Sequence, residues 1–230
     1  GNFANVSGFA WSDNIGWISF NCLNPGSDCS RSGNYGVSVP TGAQGPGSIG
    51  GALTGFAWSD NIGWINFAPV GPYPDSSTQA STGTHPGPAT LELNPTPRLK
   101  GWARACTVFA SGCTGALKDS SETGGWDGWI SLSGGNGSAP SYGVTLSGKQ
   151  FGSYAWGSDV VGWVDFHPKC YGSDTYCGDG VYIGHPPLGI ECSVTQDRNT
   201  LPVNATWYAH PSGGDGNYTI RWIPDNPNDN

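Results

Sequence analysis

The segment Gly8–Phe20, GFAWSDNIGWISF, returns at Gly55–Phe67 as GFAWSDNIGWINF, with twelve of thirteen residues identical. A looser copy, SYAWGSDVVGWVDF, occupies Ser153–Phe166. A split copy opens as GWA at Gly101–Ala103 and resumes as GWISL at Gly128–Leu132. The copies start at Gly8, Gly55, Gly101 and Ser153, a period of 46 to 52 residues. Periodicity on this scale restricts a chain to architectures in which one supersecondary unit is copied and packed against itself. It also argues against catalysis, which needs unlike residues at unlike places.

Each copy reads as three β segments. The first is the G-F-A-W stretch with its lead-in, Asn5–Trp11 or Ala52–Trp58. The second is G-W-I-x-F, Gly16–Phe20 or Gly63–Phe67. The third is Tyr35–Val39 and its counterparts Ala89–Leu93, Tyr142–Leu146 and Val181–Ile183. Ser-Asp-Asn-Ile-Gly between the first two has the chemistry of a hairpin turn. Strand alternation puts Phe9 and Trp11 on one face, and Ile18 and Phe20 on one face with Trp17 opposite. The 38 glycines, 18 prolines and low charged fraction of 11% fit an all-β chain rich in turns. The expected fold is all-β: four tandem antiparallel hairpin-based repeats, at about 1–48, 49–97, 98–147 and 148–185, arranged as a propeller, sandwich or solenoid.

Trp11 and Trp17, Trp58 and Trp64, and Trp156 and Trp163 flank the three clear hairpin turns, so each pair is expected to meet across its hairpin. Their regular recurrence reads as core, which predicts mostly buried indoles. The other reading makes these six residues a sugar-stacking platform beside the Asp and Asn of the turns.

Six of seven cysteines fall into C-x6-C pairs: Cys22 with Cys29, Cys106 with Cys113, and Cys170 with Cys177. Without metal-type spacing these read as local disulfides in an oxidising compartment. Cys192 is left over, for an intermolecular bond or a partner further along. Sequons at Asn5, Asn136, Asn204 and Asn217 permit glycan attachment.

The net charge of −8 and pI near 4.6 argue against nucleic acid and against anionic membrane surfaces. No apolar run is long enough to insert in a bilayer. Methionine is absent even at position 1, which reads as cleavage before Gly1. No catalytic fingerprint occurs, and the acids are mostly aspartates of Gly/Ser turns. The four histidines, His85, His167, His185 and His210, all precede proline and read as scattered loop residues. The Asp-Asn turns lack the graded acidic spacing of a calcium loop. No cofactor and no enzymatic activity are expected.

After Pro187 the composition changes. The run from Trp207 to Trp222, WYAHPSGGDGNYTIRW, resembles the first half of an immunoglobulin-like or PKD-like module, with strands expected at Ile190–Thr195, Val203–His210 and Tyr218–Ile223. The domain limits are therefore 1–185 and 186–230. The repeat itself, A-W-S-x-N-x-G-W-I-x-F, resembles a tandem element of secreted and cell-surface bacterial proteins that is often followed by immunoglobulin-like modules. That resemblance implies an extracellular or cell-surface location and a repeat architecture more than a chemistry. The function expected is an extracellular, non-catalytic structural subunit of a cell-surface filament or appendage, made for assembly and adhesion, with surface glycans as further partners; the alternative is a carbohydrate-binding module that uses the repeat tryptophans. Self-association is expected through the half-module, with Gly1–Ser7 as the donated strand.

Overall fold

The computed structural model describes residues 2–24, 29, 34–41, 50–74, 87–93, 96–134, 142–168, 180–184, 189–197 and 204–212. The chain divides into two units, Gly1–Pro186 and Pro187–Asn230.

The first unit is a closed antiparallel barrel of eight staves, two from each repeat. The first stave is β1 (Asn2–Ser12). The second is β2 (Gly16–Ser19) continued by β3 (Val37–Thr41). The third joins β4 (Gly51–Ala52) to β5 (Thr54–Ser59), and the fourth joins β6 (Gly63–Asn66) to β7 (Thr90–Glu92). The fifth joins β8 (Arg98–Lys100) to β9 (Trp102–Ala105). The sixth is β10 (Trp129–Ser131), a small side ribbon of β11 (Ser133–Gly134) and β12 (Tyr142–Gly143), then β13 (Thr145–Ser147). The seventh joins β14 (Gln150–Gly152) to β15 (Tyr154–Trp156), and the eighth joins β16 (Trp163–Asp165) to β17 (Val181–Ile183).

The four hairpins pair edge to edge: β2 with β5, β6 with β9, β10 with β15, and β16 back onto β1. In the other half of the barrel β1, β17, β14, β13, β8, β7 and β4 follow one another, and the Gly50 amide donates to the Pro40 carbonyl at 3.2 Å to bring β3 beside β4. This is a barrel, not the propeller, sandwich or solenoid expected. Propeller blades stack through side chains and a sandwich keeps two open sheets, whereas these hairpins bond through their backbones and the last pairs with the first, so the described strands of the barrel close on one another.

Each even-numbered stave is interrupted at the waist of the barrel by its repeat's insert, at 21–36, 68–88, 133–143 and 167–180. The segments read as third strands are thus continuations of the second. The odd staves cross the waist on a kink: φ is +90° at Gly8, +89° at Gly55, +81° at Gly101 and +65° at Ser153. The carbonyls of these four residues accept from the amides of Phe20, Phe67, Leu132 and Phe166 at 3.0–3.1 Å. A side chain at Gly8 would put its Cβ 1.9 Å from the Gly180 carbonyl oxygen, and at Gly55 2.0 Å from that of Gly36. Glycine is therefore required at both by approach as well as by dihedral.

The interior is filled in sets of four, one residue per repeat. Val6, Leu53, Leu99 and Phe151 form one set, and Ala10, Ala57, Ala103 and Ala155 another. Ile18, Ile65, Ile130 and Val164 follow, then Phe20, Phe67, Leu132 and Phe166, then Val37, Ala89, Val144 and Val181. Each is at most 4% exposed. Phe20 lies 5.4 Å from both Phe67 and Phe166 across the waist. An eight-stranded barrel has an interior just wide enough for side chains to fill.

This packing overturns the expectation that the repeat tryptophans are core. Alternation separates the two faces of each strand as expected, but the Ile/Phe face points in and the indoles point out. The structure also corrects the role given to Gly1–Ser7. Asn2–Val6 pair with β3 and Val6–Gly8 with β17, so the described part of that segment is a barrel stave.

In the second unit, β18 (Gly189–Asp197) and β19 (Asn204–Ser212) form an antiparallel ribbon with Cys192 opposite Ala209. These are the first two strands expected there. Tyr218–Ile223 lies outside the described residues.

Candidate functional site

The outward residues of the hairpins make an aromatic girdle around one end of the barrel. Trp11 faces Trp17 across β1 and β2 with ring centroids 4.8 Å apart. Trp58 faces Trp64 at 4.6 Å, and Trp156 faces Trp163 at 4.8 Å. The three pairs therefore meet as the sequence predicts, but on the outer wall. Trp17 is 41% and Trp163 50% exposed, while Trp11, Trp58, Trp64 and Trp156 are half-buried against their neighbours.

The turn aspartates have a local explanation. Asp13 accepts the Trp11 indole N–H through Oδ1 at 2.8 Å, and Asp60 accepts that of Trp58 at 2.8 Å. The turn asparagines tie the hairpin tips together. Asn61 Nδ2 donates to the Ile15 carbonyl at 3.1 Å, and Asn14 Nδ2 to the Asp159 carbonyl at 3.1 Å. Each of the two D-N-I-G copies thus bonds the turn of the preceding repeat, the first copy across the closing seam.

The third hairpin departs from the motif. Arg104 stands where the first tryptophan belongs, opposite Trp129. Its guanidinium lies over the rings of Trp129 and Phe109, at 4.3 Å and 4.7 Å from the centroids. Nε donates to the Asp127 carbonyl at 2.9 Å. Burial draws the Arg104 pKa down, opposed by the Asp127 charge, and a guanidinium in this setting stays ionised. The long insert of this hairpin carries a 3₁₀ turn at Cys106–Val108 and a short helix, α1 (Ser120–Thr123), closed at its N-terminus by a capping box between Asp119 and Glu122. Val108, Phe109 and Trp126 join the core.

A second regularity escaped sequence reading. The insert of one repeat sends a tyrosine onto the second indole of the next. Tyr35 packs on Trp64 at 5.2 Å, Tyr73 on Trp129 at 5.5 Å, and Tyr142 on Trp163 at 5.1 Å. Burial pushes the phenols of Tyr73 and Tyr142 up, against a Ser131 hydrogen bond in the case of Tyr142. The signal was present in part, as Tyr-Gly at Tyr35–Gly36 and Tyr142–Gly143, but the residue it covers is about twenty to fifty-five positions away and no local pattern names it.

Among the described residues two disulfides are formed, Cys22–Cys29 and Cys106–Cys113, in the insert of the first repeat and the hairpin of the third. Cys170 and Cys177 lie outside the described residues, as do Asn136 and Asn217. Asn5 is exposed on β1, and Asn204 begins β19. Among the described residues no group of three or more His, Cys, Asp or Glu side chains is placed to hold a metal ion, and no helix is long and apolar enough to cross a membrane. The outer wall carries Asn5, Ser38, Thr54, Arg98 and Lys100 around an apolar interior.

No family model matches the chain, and the searches of curated proteins and of solved structures found no match.

Proposed function

We propose that the chain is a non-catalytic structural component of the cell exterior, a subunit of a surface filament or appendage whose work is assembly and adhesion. The observation that supports this reading is the filled barrel. Four near-equivalent hairpins close on themselves, and each layer of the interior is occupied by four side chains. With its described interior filled by side chains, such a body meets other molecules at the outer wall and the waist inserts. Disulfides in two of the repeats suit an oxidising exterior.

Assembly runs, in this reading, through the second unit. A strand supplied by a neighbouring copy would extend the β18–β19 ribbon by β-augmentation, and head-to-tail contacts of that kind build filaments because they do not close. Cys192 on β18 would lock the joint.

Light scattering and negative-stain imaging of the full chain test this. End-to-end oligomers that lengthen with concentration, and that lose their covalent dimer on a non-reducing gel in Cys192→Ser, are the expected result. A monodisperse monomer at every concentration would sink the proposal.

A further inference from the structure

The girdle is not uniform. The first-strand girdle residue of each hairpin lies directly opposite the variable position of the neighbouring G-W-I-x-F strand. Trp58 faces Ser19, Arg104 faces Asn66, and Trp156 faces Ser131. At the seam where the fourth repeat meets the first, Trp11 faces Asp165 instead. The same register sets Trp163 one position beyond the Ser12–Val164 pair, at the level of Asp13. Trp17, beyond the Ile18–Ser59 pair, comes level with Asp60. The seam is thus a checkerboard of indoles and carboxylates on three adjacent strands, β16, β1 and β2.

Exposure is concentrated at the same place. Trp163 and Trp17 are the two exposed tryptophans of the described residues, and they flank Trp11. Trp64 and Trp129 hold the equivalent position in other hairpins, under Tyr35 and under Tyr73 with Arg104, and are more buried; Trp163 carries Tyr142 in the same way at 5.1 Å yet stays half exposed. Two strand spacings separate β16 from β2, roughly 10 Å. Exposed rings at that separation, with Trp11 and carboxylates between them, fit alternate units of an extended sugar chain. The apolar faces of the sugars lie on the rings and their hydroxyls donate to the carboxylates.

We infer that the seam formed by Trp163, Trp11 and Trp17 with Asp13 and Asp165 is a binding face for a neutral polysaccharide. The charge selects neutrality. Asp13, Asp60 and Asp165 on this strip, within a chain of net charge −8, repel uronic acids, sulfated glycans and nucleic acids alike. The inference goes beyond the assembly reading: a filament without glycan affinity leaves that reading standing, and a glycan-binding monomer removes it alone.

The test uses the full chain. Retention is measured on cellulose and chitin, and mobility in gels containing mannan or a soluble β-glucan, with alginate and heparin as anionic controls. Expected is binding to at least one neutral polymer, little changed by salt and competed by the matching oligosaccharide. Trp163→Ala and Trp17→Ala should each weaken it about tenfold or more, while Trp64→Ala, beneath Tyr35, leaves it intact. Should an alanine variant fail to fold, the native chain answers the same question. Bound oligosaccharide should protect Trp163 and Trp17, and not Trp64, from N-bromosuccinimide oxidation mapped by mass spectrometry. Failure to bind any neutral polymer, preference for an anionic one, equal loss in Trp64→Ala, or protection without regard to position overturns the inference.

Discussion

Arg104 lies across the face of Trp129, its guanidinium carbon 4.3 Å from the ring centroid, at the place where the other three hairpins pair two indoles. A planar cation takes the place of an aromatic ring because both pack against the indole, edge-on for the tryptophan and over the face for the guanidinium, and here the cation also reaches the Asp127 carbonyl. Arg104→Ala should destabilise the barrel by about 1–3 kcal/mol through loss of the stack and of a charge-assisted hydrogen bond. Arg104→Lys should recover only part, since an ammonium lacks the flat face. Urea unfolding followed by tryptophan fluorescence measures both, and a lysine variant as stable as the parent would remove the stacking argument.

The interior and the girdle should answer mutation in opposite order of side-chain size. Phe20 touches Phe67 and Phe166 at the waist and is buried, so Phe20→Ala should cost about 3–5 kcal/mol. Trp17 is the larger side chain but stands on the outer wall, and Trp17→Ala should cost about 0.5–1.5 kcal/mol, the worth of its edge-on contact with Trp11. Equal losses in chemical denaturation would mean that the indoles carry more of the fold than their exposure implies.

Gly8→Ala and Gly55→Ala should prevent or cripple closure of the barrel, because the new Cβ would meet a backbone carbonyl oxygen at 1.9 Å and 2.0 Å. Gly148→Ala is the control. It has a similar left-handed dihedral, φ +60°, but open space around it, so it should lose only about 1 kcal/mol. Soluble yield and melting temperature separate the two classes. A well-folded Gly8→Ala protein would show that the waist can shift to admit a methyl group.

Glu92 sits between Lys100 and Arg98 on the outer wall, with Lys100 Nζ 2.7 Å and Arg98 Nε 3.1 Å from Oε2. Partial burial raises its pKa, but the hydrogen bonds and charges of Lys100 and Arg98 outweigh this and hold the carboxyl below its ordinary value. A folded-state pKa below the unfolded one means that the stabilisation is complete above the unfolded value and disappears as pH falls through the folded one. The stability difference between the parent and Glu92→Gln should therefore be present at neutral pH and vanish in acid below the usual carboxylate range. A difference independent of pH would show that the pair contributes by packing alone. High salt should shrink the neutral-pH difference, because the pair is partly exposed.

Much of this architecture was legible before any coordinates. The copies beginning at Gly8, Gly55, Gly101 and Ser153 mark the four hairpins, the D-N turns at Asp13 and Asp60 mark the tips of two of them, and the C-x6-C spacing of Cys22 with Cys29 and Cys106 with Cys113 marks two local bridges. All of these are short-range features, because hairpin pairing, turn dihedrals and loop closure depend on residues a few positions apart. Strand alternation likewise separated Trp17 from Ile18 and Phe20. What alternation does not contain is a sign. Both faces of this strand carry a large apolar side chain, and period two does not by itself say which of them is inside; the polar Ser19 beside Trp17 is the local mark of the outer face.

Only the tertiary structure decided that sign. Eight staves closed on one another enclose a narrow space, and four side chains per layer fill it when they are alanine, isoleucine and phenylalanine. Four indoles in one such layer would not fit, so the tryptophans stand outside. Closure itself is a long-range event, the meeting of β16 with β1 across most of the chain, and no local propensity reports it. The same meeting sets Asp165 opposite Trp11 and leaves Trp163 and Trp17 exposed on either side. The binding face inferred here is therefore made by closure of the barrel, although every residue in it belongs to the repeat that the sequence displays.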